Sequence, residues 1–148
     1  MSCVRIVDKH IIGQTASIEV VAVGLSFKAR VDTGAKGTSI HATDINVSGE
    51  SEVMSENLGK EITFRIINEK NESRNVKAVI KEVARVRNSQ GRESRYVVEM
   101  ELAWNGVSKM VKVNLRNREK MTYKLLVGRN WLEKDFVVDV ERDTAERR

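Results

Sequence analysis

The run Ala29-Arg30-Val31-Asp32-Thr33-Gly34-Ala35 carries an apolar, alternating strand pattern into a carboxylate. Gly34 permits a tight turn at that point, and Thr33 offers a hydroxyl that can brace its neighbours. Far downstream, Leu125-Leu126-Val127-Gly128-Arg129-Asn130-Trp131-Leu132 is an apolar strand that runs into Gly-Arg-Asn and a short helix-like segment. A carboxylate fixed in such a turn can exchange protons with a bound water or a substrate. Asp44, Asp135, Asp139 and Asp143 are followed by Ile, Phe, Val and Thr, so none of them rebuilds the turn.

Rival chemistries find less material. A zinc centre needs three or four converging ligands. Cys3, His10 and His41 are the soft or borderline donors, and none is spaced as a ligand pair. His41, seven residues after Gly34, reads as a hydrogen-bonded structural histidine. Neither histidine stands near a nucleophile in sequence. No glycine-rich phosphate loop is present, so neither a metal nor a cofactor is expected.

The two elements resemble the signatures of the retropepsin-like aspartic proteases. Several runs are similar to a bacterial branch of that group named for ATP-dependent zinc proteases: Arg30 to Ala42, Arg95-Tyr96-Val97-Val98-Glu99, Asn114-Leu115-Arg116-Asn117-Arg118 with Met121, Leu125 to Leu132, and Phe136 to Val140. The likeness covers Val4 to Val140, in order. It implies a single retropepsin-like domain over 1–148, with a core of about 4–140 and a charged, frayed tail at 141–148. It implies catalysis by Asp32 within Asp32-Thr33-Gly34, supported by Ala35, Gly128, Arg129 and Asn130. Two carboxylates too close to ionise together then act as general base and general acid. The chain supplies one motif, so the other must come from a second copy across a two-fold axis. The competing reading is a catalytically inactive dimerisation or peptide-binding module on the same fold.

On the retropepsin plan, Val76 to Arg87 and Arg92 to Trp104 form a long hairpin that folds over the site. Its substrate flap comprises Arg85, Arg87, Asn88, Ser89, Gln90, Gly91 and Arg92, with Lys81 and Arg95 nearby. Such a basic lid would attract an acidic polypeptide. The resemblance also implies a functional link to an ATP-grasp peptide ligase that adds glutamate residues, to which any ATP dependence would belong. Two positions depart from the relatives. Lys36 stands where an acidic partner of Arg129 is expected, so the two cations would repel. Ala35 replaces a serine that lowers the catalytic pKa in acid-active relatives, which favours activity nearer neutral pH.

The elements that must hold these residues are strands. Phe27, Ala29 and Val31 alternate with polar neighbours, as do Val98, Met100, Leu102 and Trp104, and Val111, Val113 and Leu115. Asn105-Gly106 is a two-residue hairpin turn. Gly24 turns the chain between Ile18 to Val23 and Ser26 to Asp32. Helical character is confined to Asn130 to Lys134 and a turn near Asn117 to Lys120. The expected fold is all-β, a closed or partly open barrel with one short C-terminal helix. Ser48 to Lys60 reads as a long loop or mobile hairpin. Proline is absent, so edge protection falls to charge.

Bulk composition fits these expectations. The 148 residues are 41% hydrophobic and 32% charged, enough for one core. No apolar run is long enough for a membrane span, and the N-terminus lacks a signal-peptide stretch. Cys3 is the single cysteine, read as a small strand residue, and the cytoplasm is the expected compartment. The net charge of +5 is a modest excess. The two Trp, two Tyr and three Phe do not interleave with the basic residues, which counts against a nucleic-acid platform.

Overall fold

In the computed structural model, the described residues are 8–89 and 91–145, and they form ten strands, one four-residue α-helix and two 3-10 turns. The strands are β1 (His10–Val20), β2 (Leu25–Val31), β3 (Thr38–Val47), β4 (Glu61–Ile67), β5 (Ser73–Val79), β6 (Glu82–Asn88), β7 (Gly91–Trp104), β8 (Val107–Arg116), β9 (Leu125–Val127) and β10 (Phe136–Thr144). The helix, α1 (Arg129–Leu132), follows β9 directly. The architecture is all-β. The expectations for Cys3, Gln90 and the last three residues lie outside the described residues.

The sheet path runs β10-β1-β2-β9-β3-β8-β7-β6, with β4 and β5 attached to β3. Glu19 and Val20 of β1 also pair with Ala103 and Leu102 of β7. That pairing joins β1, β2, β9, β3, β8 and β7 into a ring. Alternation in β2, β7 and β8 explains the ring's inside: Phe27, Ala29, Val98, Leu102 and Val113 are fully buried. Trp131 of α1 closes one end, stacked on Phe136 at 4.5 Å and donating its indole N–H to the Leu102 carbonyl at 3.1 Å. Truncating a buried tryptophan of this kind costs about 3–5 kcal/mol.

The turn chemistry agrees with the sequence at Asn105-Gly106, where φ values of 49° and 83° join Trp104 to Val107 across a two-residue hairpin. Gly24 takes φ 62°, although β1 stops at Val20 and Val21–Val23 form a 3-10 turn instead of strand. Between Ser48 and Lys60 there is no strand. The segment is pinned by the fully buried Asn57, whose amide nitrogen donates to the Ser51 carbonyl and to the Tyr96 hydroxyl, each at 2.9 Å.

Two expectations are corrected. Val76 to Val79 do not belong to the flap hairpin: they lie in β5, which pairs with β4 from Glu61↔Val79 to Ile67↔Ser73. The break comes at Ile80-Lys81, where the Ile80 N–H turns to the Lys60 carbonyl and that of Lys81 to Val97. Nor is the tail frayed from Glu141. Strand β10 continues to Thr144, parallel to β1, with Thr15 opposite Asp143 and Ala16 opposite Thr144. The Thr144 hydroxyl donates to the Thr15 carbonyl at 2.6 Å and accepts the Gly13 N–H at 3.1 Å. A β1 irregularity between Gly13 and Thr15 makes room, since a Cβ on Gly13 would meet the Arg142 carbonyl oxygen at 2.5 Å.

Candidate active site

Strand β9 lies between β2 and β3, parallel to the first from Ala29↔Leu125 to Val31↔Val127 and antiparallel to the second. The link from β2 to β3, residues 32–37, must therefore arch over the end of β9. Asp32 begins that arch, and its N–H is held by the Val127 carbonyl at 2.9 Å. One carboxylate oxygen, Oδ1, accepts the Gly34 N–H at 2.9 Å, and the Asp32 carbonyl accepts the Ala35 N–H at 3.2 Å. Gly34 allows that closure: a Cβ there would sit 3.2 Å from Oδ1. Asp32 is partly exposed, at the mouth of the turn.

The arch rests on Gly128 and the first turn of α1. A Cβ on Gly128 would lie 2.1 Å from the Gly37 carbonyl oxygen and 2.7 Å from that of Ala35, so only hydrogen fits. The Arg129 and Asn130 N–H groups donate to the Ala35 and Lys36 carbonyls at 2.8 and 3.2 Å. The Asn130 side chain ties three elements together. Its Oδ1 accepts the Thr38 hydroxyl at 2.6 Å, and its amide donates to the Lys112 carbonyl at 2.8 Å. The Arg129 guanidinium donates to the Thr33 carbonyl at 3.1 Å. The structure thus brings together Asp32, Thr33, Gly34, Ala35, Gly128, Arg129 and Asn130.

One role falls to a different residue. Thr33 is exposed, while the bracing hydroxyl is that of Thr38, buried beneath the arch and also accepting the Gly128 N–H at 3.2 Å. Only the spacing of Thr38 from the Asp-Thr-Gly turn could have signalled this.

The residues expected to form a flap lie in the β6–β7 hairpin, paired from Glu82↔Val97 to Asn88↔Gly91, with Ser89 in its turn and Gly91 at φ 125°. Opposed residues share a face. Arg87 opposes Arg92, and Arg85 opposes Ser94, so Arg85, Arg87 and Arg92 share one face. Arg95 points to the other face with Glu93, whose carboxylate it meets at 2.6 Å. The arginines of this hairpin therefore lie on both of its faces.

A cleft of about 450 Å³ runs beside the Asp32 arch, lined by Lys36, Arg85, Arg87, Arg95, Arg116 and Arg118 among others. Arg95 and Arg118 are 7% and 6% exposed. Burial, with Arg116 and Arg95 alongside, pushes the Arg118 guanidinium down to about 10. Arg116 and Arg118 were not expected at the site. Their signal was the period-two spacing of Asn114, Arg116 and Arg118, at and just beyond the end of β8. Behind them, His41 is 3% exposed and its Nδ1 accepts the Arg118 N–H at 2.8 Å. Burial holds His41 below the ordinary imidazole value, reinforced by Lys124 and Arg118 and opposed by a backbone bond with Arg116 and by Glu119. Among the described residues, no three His, Cys, Asp or Glu side chains converge as a metal site, and no helix is long and apolar enough to cross a membrane.

The family model for the RimB-like group, described as retropepsin-like aspartic endopeptidase RimB, matches residues 11–148. The chain belongs to that family. Its RimB-like sequence is also 31% identical over 140 residues to a protein of Shewanella halifaxensis named "Probable alpha-L-glutamate ligase", covering 89% of this chain and 29% of that protein. A protein of the same name from Parasynechococcus marenigrum is 31% identical over 138 residues, covering 90% of the chain and 28% of the relative. The RimB-like chain thus spans less than a third of the length of the curated relatives it matches. The crystal structure of a Legionella pneumophila protein of unknown function superposes with a TM-score of 0.72 at 24% identity, covering 90% of this chain and 95% of the other. That likeness extends to the fold.

Proposed function

We propose that this chain is an aspartic peptidase that works as a homodimer and cleaves acidic, glutamate-extended polypeptides. On this reading the strand ring is the closed barrel of a single retropepsin-like domain. The observation that carries the reading is the Asp32 arch seated on Gly128 in a chain of the RimB-like family. Paired across a two-fold axis, one Asp32 carboxylate takes a proton from water as its oxygen attacks the amide carbon. The other, protonated, donates its proton to the carbonyl oxygen. As the tetrahedral intermediate collapses and the C–N bond breaks, the first passes the proton taken from water to the departing amine and the second takes back a hydroxyl proton. The flap closes over the peptide.

The substrate class rests on two supports. Cations crowd the cleft beside Asp32. The relatives named as probable alpha-L-glutamate ligases carry a segment like this chain inside a longer protein, which links such a segment to glutamate ligation. A partner ligase that extends a protein with glutamate would supply the bond this enzyme cuts.

Asp32→Asn tests the mechanism. The asparagine oxygen still accepts the Gly34 N–H, so the fold persists, while hydrolysis of a glutamate-extended peptide falls to background and chelators leave the wild type unaffected. An active Asp32→Asn variant refutes the aspartic mechanism. Sedimentation that shows monomer alone at tens of micromolar, with and without peptide, refutes the dimer; that concentration is a scale for weak association.

A further inference from the structure

The cleft beside the Asp32 arch has two tiers of positive charge, and they differ in kind. Arg85 and Arg87 are exposed at its rim, on strand β6. Arg95 and Arg118 are nine-tenths buried in its wall, and the Arg116 side chain is 25% exposed beside them. Burying arginines together is costly unless an anion offsets it. Glu93 answers part of the need, reaching Arg95 at 2.6 Å and Arg116 at 4.0 Å. Arg118 has no acidic partner among the described residues: its Nε donates to the Tyr123 carbonyl at 2.9 Å, and the charges acting on it are the two neighbouring arginines.

The lining of this cleft carries the cations and no acid among its described residues. Ser39, from β3, lines it as well, and its hydroxyl is buried without a hydrogen-bond partner among the described residues. A buried hydroxyl and a buried, uncompensated guanidinium in one wall are what an absent anionic group would satisfy. Three fixtures hold the wall rigid. Asn114 accepts from Arg95 through its Oδ1 at 3.1 Å and donates to the Thr38 carbonyl at 3.1 Å. The backbone of Arg118 is held by His41.

We infer that Arg116 and Arg118, with Arg95 and Ser39 beside them, form a pocket for a side-chain carboxylate of the substrate, and that this wall sets acidic specificity more than the flap does. The inference rests on the peptidase reading for its ligand, a glutamate-rich peptide. Planar guanidinium forks match a carboxylate bidentately, and the partly water-excluded wall strengthens the pairing over one made on an exposed lid. The wall abuts Ala35, Lys36 and Gly37, so a carboxylate held there lies along the peptide path leading to Asp32.

The test separates binding from chemistry. In an Asp32→Asn background, anisotropy of labelled α-linked hexaglutamate is compared with labelled hexaglutamine of the same length. Hexaglutamate is expected to bind at least about 10-fold more tightly, and Arg116→Gln and Arg118→Gln each to weaken it about 10- to 100-fold, the scale of a lost charge-assisted bond. Lys77→Gln, which removes one exposed charge from β5 away from the cleft, is expected to change binding less than about 3-fold. Circular dichroism checks folding. Should Arg118→Gln unfold, Arg116→Gln decides alone, because its side chain is the more exposed. Equal affinity for the two peptides overturns the pocket. So does an Arg116→Gln variant that binds like its parent, or a Lys77→Gln variant that loses as much. If binding behaves as expected and the wild type cuts no peptide, the pocket stands and the peptidase reading falls.

Discussion

Gly128→Ala puts the architecture of the site under a direct load. The backbone of Gly128 is extended, at φ −103°, so alanine adopts it without torsional strain. The conflict is one of space. The new Cβ would lie 2.1 Å from the Gly37 oxygen, and real Cβ atoms essentially never approach closer than 3.0 Å, so the arch must retreat by about 0.9 Å. Both atoms in its way are backbone carbonyls, at Gly37 and Ala35, with no flexible side chain to yield. The retreat loosens the bonds from Arg129 N–H to Ala35, from Asn130 N–H to Lys36 and from Gly128 N–H to Thr38. At about 1 kcal/mol each, the loss is about 3 kcal/mol, offset by about 0.5 kcal/mol from the stiffer unfolded chain. Urea melts should therefore show about 2–3 kcal/mol of destabilisation, and thermal melts a fall of about 5–10 °C. Moving the carboxylate by such a distance should also cut turnover about 100-fold. Gly37→Ala is the internal control: a Cβ there meets nothing within 4 Å and should be near neutral. A Gly128→Ala variant as stable and active as the wild type, or a Gly37→Ala variant that suffers equally, refutes the claim that close packing on Gly128 positions Asp32.

Two further outcomes follow from buried groups. Thr38→Val keeps the shape but removes the hydroxyl that accepts from Gly128 and donates to Asn130; it should cost about 1–3 kcal/mol in urea melts, with Thr38→Ser restoring most of it. His41 titrates lower folded than unfolded, so its stabilising contribution is complete above about pH 6.5 and is lost as pH falls through the lowered value. Melts at stepped pH should show that decline, and His41→Gln, whose amide oxygen can still accept the Arg118 N–H, should flatten it.

What sequence reveals here tracks the range of the interactions involved. Alternation located β7 and β8, and Asn105-Gly106 fixed their register, because hairpin pairing is local. The Asp32 turn and Gly128 were legible through residue types that few other geometries require. The continuation of β10 through Glu141-Arg142-Asp143 was not, since a charged edge strand reads as a solvated tail until its parallel partner, 128 residues away at Thr15, is in place. The split of Val76 to Arg87 into β5 and β6 had the same cause: one unbroken alternation serves two partners, and Lys60 and Val97 decide where it breaks. Arg116 and Arg118 stood in plain view as a period-two pair, but only the parallel pairing of β3 with β8, which ends at His41↔Arg116, and the bond from the Arg118 N–H to His41 bring them beside the Asp32 arch.

Lys36 and Arg129 bear on how the Asp32 arch is held within one chain. With a cation where an acid was expected, Arg129 has no carboxylate at that position and turns its guanidinium to the Thr33 carbonyl of its own chain. A carbonyl dipole at the crest of the arch replaces a formal charge, and the contact lies within the same turn that carries Asp32. Together with the N–H groups of Arg129 and Asn130, it fixes the arch from below without help from a second subunit. If the chain pairs as proposed above, association would bring together two turns that are already formed. Lys36, left exposed, adds its charge to the cleft beside the carboxylate. The arch that carries Asp32 is thus held by groups of its own chain, and Lys36 adds a cation to the cleft beside it.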